Sequence, residues 1–119
     1  MLMKFAAAAI TVATLFMSGS QAQAQYGPTA ETYLTAGFEN ATTAYDDFGT
    51  ADGYEAYLLA DYAQYFASVG DFYNAAIYGI SASDYALADY DATGDSNSYE
   101  AYQLLYDGAY YAYYAYLGY

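Results

Sequence analysis

The sequence predicts an all-α fold, a small domain of four helices arranged as two helix-loop-helix units. Apolar residues recur at steps of three and four along most of the chain, which is the spacing of one helix face. Alanine, the strongest helix former, is abundant throughout. A shift of about 45 residues aligns Tyr54–Tyr57 with Tyr99–Tyr102, which indicates an internal repeat with units over about 29–70 and 71–119.

Residues 1–24 have the features of a secretory signal peptide. A single charged residue, Lys4, precedes an apolar run from Phe5 to Met17, and Ala22 and Ala24 form an A-x-A cleavage pattern. The run is too short to span a bilayer, and no second apolar segment follows it. The sequence therefore predicts export to the periplasm or the extracellular space. A short leader over 25–28 and a helical domain over 29–119 would follow, with no membrane span after cleavage.

The predicted mature chain is acidic without internal compensation. It carries all 14 Asp and Glu residues, and the only basic residue, Lys4, lies in the signal peptide. Carboxylates within a Debye length of each other (about 8–10 Å) therefore repel, and cations must come from outside the chain. Nucleic acid is excluded as a partner because phosphate binding needs Lys or Arg. With 22% aromatic residues, folding is favoured over disorder, and without cysteine no disulfide can form.

The first two helices are predicted on either side of a break at residues 48–53. Thr29 is placed to cap the first helix, and Asp52 with Glu55 forms a capping box for the second. The apolar face of the first helix is predicted to consist of Leu34, Phe38, Ala41, Tyr45 and Phe48. The apolar face of the second is predicted to consist of Leu58, Tyr62, Tyr65, Phe66 and Val69.

The third helix is predicted to begin directly after Gly70, which ends the second, with Asp71 as its cap. Asn97 with Glu100 forms a capping box for the fourth helix, after a loop over 89–98. The apolar face of the third helix is predicted from Phe72, Ala76, Ile77, Ile80 and Leu87, and that of the fourth from Tyr102, Leu105, Tyr106, Ala109, Tyr110 and Tyr113. The tyrosine-rich tail is predicted as helix, with a strand-forming segment as the alternative.

The stretch from Asp89 to Glu100 resembles the twelve-residue calcium loop of EF-hand proteins, with Gly94 at the position of the sharp turn. The resemblance implies a calcium ion held by the side chains of Asp89, Asp91, Thr93, Asn97 and Glu100 and by the backbone carbonyl of Asp95. Ser96 departs from the branched apolar residue usual in that family. The upstream copy, Ala44–Glu55, lacks ligand oxygens at its first and fifth positions. The alternative is a solvated acidic loop with a helix cap.

The middle hairpin is similar to one tetratricopeptide unit. The matching positions are Leu59, Ala63, Phe66, Gly70, Phe72, Ala75 and Ala82. The resemblance implies a peptide-binding helical surface, although it covers one unit of about 34 residues where several normally stack. The alternative is a tight, alanine-rich helix pair.

The sequence predicts a protein that is not an enzyme. With no His or Cys and no Lys in the mature chain, nucleophile–base pairs and Schiff bases are excluded. No glycine-rich phosphate loop occurs, and the usual zinc and haem ligands are absent. A carboxylate-pair hydrolase would need a cleft for which this domain is small.

The 20 tyrosines exceed what a four-helix core can bury, so about half are expected at the surface. Tyrosine is favoured at contact surfaces because it buries a large area at small entropic cost. The tyrosines expected at such contacts are Tyr57, Tyr65, Tyr102, Tyr110, Tyr113 and Tyr114. The leading interpretation is an exported structural or interaction protein that binds itself, an extracellular polymer or another protein, in a cation-sensitive manner. Oxidative tyrosine cross-linking in an extracellular matrix is one form of this interpretation. A calcium-binding protein and a peptide-binding module are the alternatives.

Overall fold

A computed structural model describes residues 19–119 as four helices joined by short turns. These are α1 (Gly19–Phe48), α2 (Ala51–Ser68), α3 (Phe72–Thr93) and α4 (Ser96–Tyr116). No strand occurs in this part of the chain, which confirms the predicted all-α, four-helix fold, and the tyrosine-rich tail is helical through Tyr116. Most of the predicted signal peptide lies outside the described residues, and 19–24 form the start of α1.

Helices that follow each other in the chain also pack side by side, and α1 packs against α4 to close the bundle. The α1–α2 and α3–α4 turns therefore lie at one end, and the α2–α3 turn lies with the carboxyl terminus at the other. The bundle is 48 Å long and 24 by 16 Å across. The turns at 49–50 and 94–95 thus bring the two copies of the repeat together at a single end.

The core is built mainly from alanine and glycine, and the predicted apolar faces are only partly confirmed. Leu34 and Leu105 are the largest side chains buried completely. Several residues assigned to the core from the sequence are exposed instead: Phe48, Tyr62, Tyr65, Val69, Ile77, Ile80, Tyr106, Tyr110 and Tyr113. The helices approach one another too closely to leave room for these large side chains, so the side chains lie along the outer edges of the helix contacts.

In every helix one series of buried residues recurs at alternating steps of three and four, which is the heptad spacing of coiled-coil packing. In α1 they are Ala30, Leu34, Gly37, Ala41 and Ala44, and in α2 Gly53, Ala56, Ala60, Ala63 and Ala67. In α3 they are Ala75, Gly79, Ala82, Ala86 and Asp89, and in α4 Ser98, Ala101, Leu105, Gly108, Ala112 and Ala115. Small residues at these positions allow the close backbone approach that defines this bundle.

Helices α1 and α4 are fitted together by two leucine–glycine contacts. A Cβ on Gly108 would lie 2.8 Å from Leu34 Cδ2, and a Cβ on Gly37 would lie 2.6 Å from Leu105 Cδ2. Each helix therefore supplies one leucine and, three residues later, the glycine that receives the leucine of its antiparallel partner. Glycine is required at both places because any side chain would push the helices apart.

The predicted repeat is visible in the pattern of burial. Positions 45 residues apart are buried in both units, including the pairs Ala30/Ala75, Leu34/Gly79, Ala41/Ala86, Ala44/Asp89, Gly53/Ser98, Ala56/Ala101, Ala60/Leu105 and Ala67/Ala112. The turns also correspond, with Gly49 and Gly94 at φ of 62° and 71°. The two units thus share one packing pattern, and among these pairs the one that differs in charge has Asp89 in place of Ala44.

Two of the predicted helix caps are wrong by two residues. Thr50 caps α2 by accepting a 2.8 Å hydrogen bond from the Gly53 N–H, and Asp95 caps α4 by accepting one from the Asn97 N–H. The predicted capping boxes at Asp52 and Asn97 therefore lie inside the helices. Each cap directly follows a left-handed glycine, so the turns are two residues long. The predicted Asp71 cap on α3 is confirmed.

The predicted start of the first helix at Thr29 is also wrong, because α1 continues through Pro28. Thr29 is buried and does not cap a helix. Residues before it have their own contacts in the bundle: Gly27 lies against Phe72, and the Tyr26 ring stacks on Tyr111 at 5.6 Å. These tertiary contacts outweigh the hydrogen bond that proline removes from the helix interior.

Candidate functional site

The end of the bundle that carries the turns at 49–50 and 94–95 is strongly acidic, and we call it the acidic end. Eight of the 14 acidic residues lie within 46–55 and 89–100: Asp46, Asp47, Asp52, Glu55, Asp89, Asp91, Asp95 and Glu100. The end of α1 and the start of α4 are in direct contact there, since Asn97 Nδ2 donates a 3.3 Å hydrogen bond to Asp47 Oδ2. No described residue is basic, so these carboxylates have no cationic partner there.

The residues of the proposed calcium loop do not form an open loop. Asp89 and Asp91 lie in the last turns of α3, and Asn97 and Glu100 lie in the first turns of α4. Only Gly94 and Asp95 connect the helices. Asp91 and Glu100 point to solvent, and the Thr93 hydroxyl donates to the Asp89 backbone carbonyl at 2.9 Å.

Asp89 is the buried carboxylate of the bundle, with 1% of its surface exposed. Ser98 Oγ donates a 2.6 Å hydrogen bond to Asp89 Oδ2, and Thr50 Oγ1 donates to Asp89 Oδ1. The Asp89 side chain therefore joins α3 to the cap of α2 and to the first turn of α4. This carboxylate acts as a structural link between the two repeat units.

Asp95 is held near two other carboxylates. Burial raises the pKa of Asp95, and the neighbouring Asp47 and Asp89 raise it further, while the hydrogen bond from the Asn97 N–H opposes these effects. The Asp95 Oδ2 atom is buried without a hydrogen-bond partner in the described residues. The acidic end is thus under electrostatic strain that protonation or cations would relieve.

Within residues 19–119, no cluster of three or more acidic side chains is arranged to hold a metal ion. The helical placement of Asp89–Thr93 and the inward orientation of Asp89 differ from the geometry that the EF-hand resemblance implies. Calcium binding itself stays a prediction, for which Asp91 and Glu100 remain the exposed carboxylates.

The tetratricopeptide-like positions lie in the α2–α3 hairpin. Ala63, Ala75 and Ala82 are buried between helices, and Leu59, Phe66 and Phe72 are half-buried around the turn at Gly70. Phe66 also stacks on Tyr78 at 5.4 Å. These residues account for the close packing of the hairpin, and peptide binding by it stays a prediction.

Tyrosine rings form a nearly continuous row along α4. Successive centroids are 5.0 to 6.3 Å apart from Tyr90 through Tyr99, Tyr102, Tyr106, Tyr110 and Tyr114 to Tyr119. On the α1 side, Tyr111 contacts Tyr26 and Tyr33, where burial and the nearby Asp107 raise the pKa values of Tyr33 and Tyr111. Of the six tyrosines predicted for contacts, Tyr65, Tyr110, Tyr113 and Tyr114 are exposed, whereas Tyr57 and Tyr102 are half-buried.

An open groove of about 490 Å³ runs between α3 and α4, and we call it the α3–α4 groove. Its walls are Tyr73, Ile77 and Ile80 from α3 and Tyr106, Tyr110 and Tyr113 from α4, with Ala76, Ser81 and Ala109 at its floor and edge. No lining residue is charged. The predicted core positions of Ile77 and Ile80 are wrong, and the groove has no counterpart among the predictions from sequence. The large size of these two residues beside a heptad of small residues is the signal for it.

Comparisons with known protein families, curated proteins and solved structures find no match to the chain. Among the helices of residues 19–119, none combines the length and apolar character needed to cross a membrane. The fold and the two surface features define a small alanine–glycine helix bundle with one acidic end and one aromatic, uncharged groove.

Proposed function

We propose that this protein is an exported, non-enzymatic interaction protein that associates with itself through the α3–α4 groove. The observation that carries the proposal is a continuous aromatic and aliphatic surface that is left exposed by the close helix packing. Ile77, Ile80, Tyr73, Tyr110 and Tyr113 are all exposed there. Exposed apolar surface of this kind marks interaction sites in folded proteins. Export rests on the sequence of residues 1–24.

The charge distribution favours a second copy of the chain as the occupant. Helix α3 has no acidic residue between Asp71 and Asp84, and the chain has none after Asp107. Elsewhere on the described surface, two copies would bring carboxylates together without any basic residue to pair with them. Like charges across an interface are costly, so the uncharged groove is the surface on which two copies meet with least repulsion.

The shape of the groove suits a symmetric pairing. Two-fold dimers place the same patch of each subunit face to face, so that a ridge on one copy fills a groove on the other. Each copy has two ridges, one of Ile77 and Ile80 and one of Tyr110 and Tyr113, with the groove between them. One ridge of each copy can therefore fill the groove of the other. Tyrosine rings at such contacts bury large areas while keeping their hydroxyls hydrated at the rim.

The proposal is tested by placing a charge in the groove. Ile80→Glu puts a carboxylate into the apolar contact, and Tyr85→Glu is the control because Tyr85 lies on the same helix outside the groove and is equally exposed, at 39%. We expect sedimentation velocity at micromolar concentrations to show a dimer for the unaltered chain. Ile80→Glu should weaken it about tenfold or more, because burying an unpaired charge costs several kcal/mol.

Tyr85→Glu should leave the dimer nearly unchanged. A chain that is monomeric at every concentration would contradict the proposal. Equal weakening by both substitutions would show instead that only added net charge matters, and would place the contact elsewhere.

A further inference from the structure

We propose that Tyr73 and Tyr116 form an oxidative modification site, at which a one-electron oxidant of the peroxidase class, acting with hydrogen peroxide, joins the two rings into a dityrosine within one chain. Their centroids are 5.2 Å apart and their planes are tilted by 53°. Tyr73 lies in the first turn of α3, and Tyr116 is the last residue of α4. The bond would tie the two helices together at the end of the bundle where no turn connects them.

Both rings are open to an oxidant in the monomer, since Tyr73 is 52% exposed and Tyr116 is 47% exposed. Both also lie at helix ends, where a small shift of the backbone can bring their ring carbons into contact. Tyr116 is followed directly by the helix cap at Leu117 and by Gly118 in a left-handed conformation.

Oxidation is directed to tyrosine by the composition of the chain. There is no Cys, His or Trp, and the three methionines are at positions 1, 3 and 17, all within the predicted signal peptide. Thiols and thioethers, the side chains that oxidants attack most readily, are therefore absent from the described residues. A one-electron oxidant that reaches the helical domain therefore oxidises its tyrosines.

Other close ring pairs are less suited to coupling. Tyr90 and Tyr99 are 5.0 Å apart, but Tyr90 is half-buried beneath the α3–α4 turn. Tyr106 and Tyr110 are 5.3 Å apart on the same helix, where the backbone holds their planes nearly perpendicular, at 87°. Only Tyr73 and Tyr116 combine a short distance, two exposed rings and two helix ends.

The reaction balances with hydrogen peroxide as the oxidant. Each phenol loses one electron and one proton, which gives two tyrosyl radicals, and the peroxide takes up the two electrons and two protons to form two waters. The radicals then form a carbon–carbon bond between their ortho positions. The two hydrogens on those carbons move to the oxygens, which restores both phenols. The chain loses two hydrogen atoms in total.

The bond would serve the role that a disulfide serves in other exported proteins. It closes the chain from 73 to 116 and so restricts the unfolded state, which stabilises the fold by an amount that grows with the logarithm of the number of residues closed. We expect the thermal midpoint to rise on the order of 10 °C after cross-linking. The bond forms within one chain. Because Tyr73 also lines the α3–α4 groove, self-association would cover its ring, so the oxidation is carried out at a concentration at which the chain is monomeric.

The test uses the full chain as an equal mixture of unlabelled and ¹⁵N-labelled protein, treated with peroxidase and limiting hydrogen peroxide. Digestion after acidic residues separates the peptide that begins at Phe72 from the one that begins at Gly108. Mass spectrometry should find these two peptides joined, with the mass of two hydrogens lost. Both halves should carry the same label, since the bond forms within one chain.

Tyr73→Phe and Tyr116→Phe should each abolish this product and the rise in thermal midpoint. Tyr85→Phe is the matched control, because Tyr85 is exposed on α3 and belongs to none of the close ring pairs of the described residues, and it should leave both unchanged. A first product that contains both labels, maps to another pair, or persists in either of the two variants would overturn the inference.

Discussion

Leu34 and Gly108 set the distance between α1 and α4. A Cβ on Gly108 would lie 2.8 Å from Leu34 Cδ2, 2.9 Å from its Cγ and 3.1 Å from its backbone nitrogen. Because one of these atoms belongs to the backbone, rotation of the leucine side chain alone cannot relieve the contact. The helices would have to separate, and every small-residue contact along them would weaken.

Gly108→Ala should therefore destabilise the fold by about 1–3 kcal/mol, the usual cost of overpacking a core. At an unconstrained helix position the same change would stabilise it by up to about 1 kcal/mol. Urea denaturation of Gly108→Ala, Leu34→Ala and the double variant measures the effect. Leu34→Ala alone should cost about 2–5 kcal/mol.

The double variant should be less destabilised than the sum of the two single changes, because removing the leucine makes room for the new methyl group. Additive free energies, or a stabilising Gly108→Ala, would show that the two residues are not in the contact described.

At the scale of the helices, the connection between α3 and α4 contains a helix cap, Asp95, that is also a source of electrostatic repulsion. Asp95 caps α4 and lies near Asp47 at the end of α1, so a residue that the helix requires also brings two carboxylates together. Asparagine caps a helix about as well as aspartate and carries no charge. Replacing Asp95 with asparagine should therefore keep the helix cap and remove the repulsion between the carboxylates.

Because burial and Asp47 raise the pKa of Asp95, the folded state binds this proton more tightly than the unfolded chain does. The ionised carboxylate thus lowers stability at neutral pH. This loss of stability becomes smaller as the pH falls through the raised pKa of Asp95. It is absent below 3.8, the ordinary pKa of an aspartate side chain.

Asp95→Asn should accordingly raise the thermal midpoint by a few degrees at neutral pH and should match the unaltered chain at about pH 3. Thermal unfolding followed by circular dichroism measures both. Asp71→Asn is the control, since Asp71 caps α3 at the opposite end and bonds the Asn74 side chain, and it should not stabilise. An Asp95→Asn variant no more stable than the original at neutral pH would contradict this reasoning.

At the scale of the whole molecule, negative charge is in large excess. The full chain has a formal net charge of −13, and its one basic residue lies outside the described residues. The bundle is only 24 by 16 Å across. At about 0.01 M salt the Debye length is about 30 Å, so every carboxylate repels every other across this width, whereas at about 1 M it is about 3 Å.

Stability should therefore rise by several degrees in thermal midpoint between these two salt concentrations, and the self-association of the chain should strengthen. The comparison of sodium chloride with calcium chloride at matched ionic strength also tests the calcium alternative. A specific site adds stability that grows with calcium concentration, beyond screening. Such an excess should disappear in Glu100→Ala if the predicted ligands hold the ion.

A midpoint that stays constant or falls with salt would contradict the electrostatic argument. Equal effects of the two salts at matched ionic strength would remove the calcium alternative.

The helices, their number and the repeat could be predicted because they depend on local signals. These signals are the alanine content, the glycines at 49, 70 and 94, and the similarity between residues 45 positions apart. The core and the groove could not be predicted by the same reasoning, because it assigned the largest apolar residues to the interior. Ile77, Ile80 and Tyr110 are hydrophobic enough for a core but too large for helices spaced by alanine and glycine.

The amino-acid sequence is enough to establish an all-α chain of two similar units, an excess of carboxylates over a single basic residue, and the absence of His and Cys. Only the tertiary structure decided which face of each helix is buried, since a face is chosen by how closely two helices fit and not by its own hydrophobicity. The same packing brought the turns at 49–50 and 94–95 together and buried Asp89 between them. It also left the tyrosines and isoleucines of α3 and α4 on the surface, where the proposed contacts form.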